Sequence, residues 1–94
     1  MQKILAILFA SLLLLSACAP AALPADGETI SWDRAVELLN SGHVTMVMQA
    51  HSLDVTLVLD NGATVHTVEP HFDAVFQEIQ ECGAPCANIA QATE

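Results

Sequence analysis

The sequence predicts an α+β fold: a helix, a three-stranded antiparallel sheet and a second helix, after a cleaved N-terminal signal helix. Three observations predict it. Apolar residues recur at helical spacing in two separate stretches, around Trp32–Leu39 and Phe72–Cys82. Between them, Leu53, Val55, Leu57 and Leu59 alternate with Asp54, Thr56, Val58 and Asp60, the pattern of a half-buried strand. That strand runs into Asp60-Asn61-Gly62, a strong hairpin signal.

The chain opens with Met1-Gln2-Lys3 and an apolar run from Ile4 to Leu15, broken only by Ser11. Lys3 is the only charged residue before Asp26. A basic start, a short apolar run and small residues after it read as an export signal. The run falls short of the roughly 20 apolar residues that span a bilayer. Leu12 to Leu15 is apolar on every side, so the run is no amphipathic core helix.

Residues 18–27, Cys-Ala-Pro-Ala-Ala-Leu-Pro-Ala-Asp-Gly, have the composition of a short tether. The folded part is then 28–94, one small domain. A domain of that size buries only about 60% of its unfolded surface and gains from a cross-link.

Within 28–94 the first helix begins at Ser31, a good N-cap, with Asp33 in the first turn where the helix dipole favours an anion. Trp32, Ala35, Val36, Leu38 and Leu39 supply its apolar face, and Gly42 is placed to end it in a left-handed conformation. The first strand is expected over Val44–Ser52, with Met46 and Met48 on one face and Val47 and Gln49 on the other. The second is expected over Leu53–Asp60 and the third over Ala63–Val68. A two-residue turn at Asn61-Gly62 would set His66 against Leu57. A three-residue turn with Gly62 left-handed sets Leu57 against Val65 and Val55 against Thr67, and turns His66 outward beside Thr56. The second register is favoured because it keeps the apolar face of the second strand matched. Glu69-Pro70 is read as the start of the second helix, with Phe72, Val75, Phe76, Ile79 and Cys82 on one face and Gly83 at its end. Residues 86–94 fit either a short helix or a strand against the sheet, and their Ala and Gln content leans to helix.

After residue 17 the only Lys or Arg is Arg34, against eleven Asp and Glu. Such a surface repels phosphate backbones and anionic headgroups, which argues against nucleic-acid partners. The acidic balance serves solubility, or attracts a cationic partner or divalent ions.

Leu15-Ser16-Ala17-Cys18 resembles the lipobox of bacterial lipoprotein signal peptides, and the whole chain resembles small lipoproteins of that kind. The resemblance implies that the Cys18 sulfur receives a diacylglycerol, that cleavage makes Cys18 the first residue, and that its amine is then open to acylation. Two or more acyl chains anchor a protein firmly where one does not. The implied location is the cell envelope, facing away from the cytoplasm. Ala19 stands where an aspartate is the usual inner-membrane retention signal of that family, which points to the outer membrane in an envelope that has one.

With Cys18 consumed by lipid, Cys82 and Cys86 remain as a pair in an oxidising compartment. Gly83 and Pro85 between them favour a tight reversal. A structural disulfide is the favoured reading. Metal-binding or free thiols and a redox pair are the alternatives, the last weakened by Cys-x-x-x-Cys spacing where thioredoxin-like sites have Cys-x-x-Cys.

The run from Ile30 to Pro70 resembles the extracytoplasmic domain of FtsH-type membrane proteases. The shared features are Ile30-Ser31, Leu38-Leu39, Gly42, Val44, Val47, Leu57 to Leu59, the Asn61-Gly62 hairpin and Pro70. These are fold-forming positions and imply architecture, not chemistry. The chain has no glycine-rich nucleotide loop, no His-Glu-x-x-His helix and no second membrane span, so ATPase and protease activities do not carry over.

His51, His66 and His71, with His43, Met46 and Met48, are candidate zinc or copper ligands by type, but none has ligand spacing. Ser52 beside His51 is adjacency along a strand, which sends the two side chains to opposite faces. No nucleophile and base stand at a catalytic spacing, and no cofactor motif is present. The expectation is a non-catalytic, lipid-anchored binding module that meets a protein partner at an apolar sheet face or a sheet edge. The alternative is a small metal-binding lipoprotein using its histidines.

Overall fold

A computed structural model describes residues 22–94; the signal segment 1–17 and Cys18 lie outside the described residues. The domain is α+β, with helices α1 (Trp32–Ser41) and α2 (Ala74–Cys82) on one face of a four-stranded sheet. The strands are β1 (Val44–Gln49), β2 (Asp54–Leu59), β3 (Thr64–Val68) and β4 (Ala90–Thr93), in the spatial order β3-β2-β1-β4. No helix of the described residues is long and apolar enough to cross a membrane.

The start of α1 follows its sequence. Ser31 caps it by accepting the Arg34 N–H at 3.1 Å. Gly42 closes it at φ 82°, donating its N–H to Leu39 O. Ala35, Leu38 and Leu39 are buried against the sheet.

The β2–β3 hairpin has the register of the three-residue turn: Leu57 pairs with Val65, Val55 with Thr67, and Thr56 with His66. Val55, Leu57, Leu59 and Val65 face the helices and are buried. β1 carries an irregularity at Thr45, between the pairs Val44–Leu59 and Met46–Val58. The extra residue shifts the alternation, so that Val44 and Val47 both enter the core three positions apart. The Thr45 hydroxyl donates to Val58 O at 3.2 Å.

Four expectations are corrected. The sheet is mixed and has a fourth strand: Ala90–Thr93 runs parallel to β1, with Met46 opposite Ala90 and Gln49 opposite Thr93. The tail is therefore a strand and not a helix; Cys86 and Ile89 are buried and bring it alongside β1. The first two strands are shorter than predicted, because Ala50–Leu53 forms the turn between them. Leu53 adopts φ 68° there, and Ala50 N–H donates to Asp54 O. Helix α2 begins about a turn later than Glu69-Pro70. Glu69 is buried, its N–H donates to Leu53 O, and the chain must turn through Pro70–Asp73 before the helix starts. Phe72 therefore lies outside the helix and is exposed, leaving Val75 and Ile79 as its buried face with Phe76 and Cys82 packed beside them.

Candidate functional site

Both helices lie over one face of the sheet, leaving the other face without a covering layer among the described residues. Strand pairing arranges the uncovered face in rows. One row is Thr64, Val58, Met46 and Ala90. The next is His66, Thr56, Met48 and Ala92. Side chains on a strand alternate between faces, so Val47 and Gln49 point into the core while Met46 and Met48 look outward and remain half-buried. Val68 extends this face at the β3 side and is exposed. His66 Nδ1 stands 3.3 Å from the Thr56 hydroxyl, a cross-strand contact.

Charge is placed elsewhere. Asp33 and Glu37 lie on α1, and Glu78 and Glu81 on α2. Asp60 lies in the β2–β3 turn and bonds His43 Nδ1 at 2.9 Å. The central rows contain no Asp, Glu, Lys or Arg. Asp54, at the head of β2, and Glu94, past the end of β4, bound the face at one end. They flank Ala50, which bonds Asp54 O, and Gln49, whose carbonyl accepts the Glu94 N–H.

The two sheet edges differ. Residues 27–30 lie along β3: His66 N–H donates to Glu28 O, Ile30 N–H to His66 O, and Gly27 N–H to Thr64 O. The Asp26 carboxylate also takes the Thr64 N–H at 2.8 Å. Arg34 holds the chain further upstream, donating to Ala22 O at 3.1 Å while its other nitrogen meets Glu37. From Ala22 onward the segment expected to be a short tether is docked on the domain, and it covers the β3 edge at Thr64 and His66. The β4 edge has no such cover among the described residues.

A shallow groove of about 540 Å³ lies beside this docked segment, lined by Leu23, Arg34, Glu37, Leu38, Ser41 and His43. Ser41, His43 and Asp60 stand near one another, but the Ser41 hydroxyl donates to Leu38 O at 2.6 Å and accepts the His43 backbone N–H. That hydroxyl is committed to the C-terminal turn of α1.

The predicted histidine candidates are spread over the fold. His51 lies in the β1–β2 turn, His66 in mid β3, and His71 between β3 and α2 with Nδ1 3.2 Å from Phe72 O. Among the described residues, no group of three or more His, Cys, Asp or Glu side chains is arranged to hold a metal ion.

Cys82 and Cys86 stand at disulfide distance, their Cα atoms 5.8 Å apart across the turn at Gly83 and Pro85. Cys86 Sγ packs 3.1 Å from Leu39 O, so the sulfur pair sits against the end of α1.

Sequence reasoning missed the buried polar contact beneath α2. Gln49 Nε2 donates to Glu69 Oε2 at 2.8 Å, and Glu69 Oε1 accepts the Val75 N–H at 3.2 Å. The available signal was Gln49 on the same inward phase as Val47, a polar residue at a core position that requires a partner.

No protein-family model matches this chain, and a comparison with curated proteins finds no match.

Proposed function

We propose that this chain is a lipid-anchored module on the outer side of a bacterial membrane, that it catalyses nothing, and that it binds a protein partner through the uncovered sheet face and the adjoining β4 edge. One observation carries the reading. In a domain with eleven acidic residues, the central rows of the sheet face, built on Met46, Met48, Val58 and Ala92, contain no Asp, Glu, Lys or Arg, and no element among the described residues covers them. Contiguous apolar surface rimmed by polar residues marks sites of association. The two methionines suit a surface that must adapt to another chain.

The lipobox-like Leu15-Ser16-Ala17-Cys18 supports the anchoring, and with it a location in the outer membrane where the envelope has one. The likeness of residues 30–70 to the extracytoplasmic domain of FtsH-type proteases supports a small module that makes contacts at a membrane surface.

Photo-crosslinking in the native membrane tests the reading. A crosslinker in place of Met48 is expected to trap one adduct of defined mass, and one in place of Gln80, exposed on α2, none. Equal yields from both positions, or none from Met48, would remove the sheet face as the binding surface. Mass spectrometry of the N-terminal peptide tests the anchor, which an unacylated Cys18 would exclude.

A further inference from the structure

We infer that the β4 edge receives an extended strand from a net-basic protein partner, and that this partner is a chain different from this one. The inference rests on the reading of the uncovered face as a binding surface and names what binds there.

The backbone of β4 is set out for it. Glu94 N–H donates to Gln49 O in the parallel pairing with β1. Backbone groups alternate sides along a paired strand. Ala90, Ala92 and Glu94 therefore turn their N–H and C=O groups toward β1, and Gln91 and Thr93 turn theirs outward. An incoming strand meets two donors and two acceptors at strand spacing. Natural sheets blunt such edges with lysines, prolines or covering segments. Ala90–Thr93 has neither lysine nor proline, whereas the opposite edge is covered by residues 27–30. Ala90 and Ala92 are small, so side chains of an added strand reach across them to Met46 and Met48.

Charge and area select the occupant. Eleven carboxylates are set against Arg34, the one Lys or Arg among the described residues, and Arg34 is engaged with Glu37 and Ala22. Glu94, past the end of β4, adds a carboxylate where that edge finishes. A second copy brings the same excess of negative charge and is repelled. The face also falls short for self-association. Four strands about 4.8 Å apart and roughly five residues long cover about 300 Å². Two such faces together bury roughly 600 Å², half of the ~1,200 Å² at the low end of stable interfaces. Strand addition draws its affinity from main-chain hydrogen bonds as well as from the face.

The test uses the domain from Cys18 onward and two blocked octapeptides, one alternating Val and Lys, the other alternating Val and Glu. Amide chemical shifts are followed by NMR. The lysine peptide is expected to perturb Gln91, Thr93, Met46 and Met48, to bind at least tenfold tighter than the glutamate peptide, and to weaken as salt is added. Gln91→Pro removes only an outward N–H, and is expected to abolish binding with an unchanged melting temperature. Should that variant melt early, Thr93→Pro gives the same test at the other outward position. Equal binding of the two peptides, shifts confined to α1 and α2, binding that survives proline in a folded variant, or a concentration-dependent dimer in sedimentation would each overturn the inference. Those outcomes leave the Met48 crosslink untouched. A missing crosslink removes the underlying reading whatever the peptides do.

Discussion

Gln49 and Glu69, twenty residues apart in sequence, meet in the core with Nε2 of the amide 2.8 Å from Oε2 of the carboxylate. Both side chains are essentially inaccessible to water. The second carboxylate oxygen takes the Val75 N–H, a donor of the first turn of α2 that has no partner within the helix. Asp73, at the usual capping position, makes no side-chain bond. Glu69 thus caps α2 from beneath while bonded to β1.

Glu69→Ala is expected to destabilise the domain by about 2–4 kcal/mol, because it strands the Gln49 amide and the Val75 N–H in a buried site. Urea unfolding gives the figure. Glu69→Gln keeps an acceptor for one of the two donors and is expected to cost less.

Thr67 behaves in the opposite way. Its hydroxyl is buried on the same inward face, with no hydrogen-bond partner. Thr67→Val keeps the β-branched shape and removes the orphaned group. Stability is expected to hold or to rise by up to about 1 kcal/mol. A loss of comparable size in urea unfolding would mean that the hydroxyl is bonded, through water or otherwise.

Closing the short loop between Cys82 and Cys86 is expected to stabilise the fold by about 2 kcal/mol on chain-entropy grounds. Reduction, or the double change Cys82→Ser with Cys86→Ser, should lower the denaturation midpoint accordingly. The largest increases in hydrogen exchange are expected at residues 84–93, since Cys86 and Ile89 are the buried residues that bring β4 to the sheet.

Gly42→Ala tests backbone conformation with little confusion from packing. A Cβ there would have Pro85 as its nearest neighbour, at 4.0 Å, which is ordinary contact. The cost is that of φ 82° for an alanine, about 1–2 kcal/mol. A smaller loss in thermal unfolding would indicate that the turn after α1 relaxes.

The hairpin register was legible because one of the two possible turns keeps the apolar face of β2 matched to an inward partner set on β3. The α1 caps were legible because Ser31 and Gly42 act within a few residues of themselves. The fourth strand was not. Ala-Gln-Ala-Thr has little strand propensity of its own, and it is extended because β1 offers an open ladder beside it. The start of α2 was misplaced for a related reason: Pro70 is a sound local signal, but the burial of Glu69 overrides it. For the candidate site, Met46 and Met48 were read on one face. Which face the helices would leave bare depended on the whole arrangement, as did the sealing of the β3 edge by residues 27–30.

That sealing sets a stoichiometry. A sheet with two free sides can add strands at both and propagate into a fibre, whereas this one, among the described residues, leaves one side open. Once a strand occupies it, the ladder ends on this molecule's side at the Glu28–Ile30 segment, and further growth depends on what the newcomer exposes. On the proposed reading, in which the domain is lipid-anchored and accepts a strand at β4, a crowd of these domains in one membrane plane would each take one guest and stop.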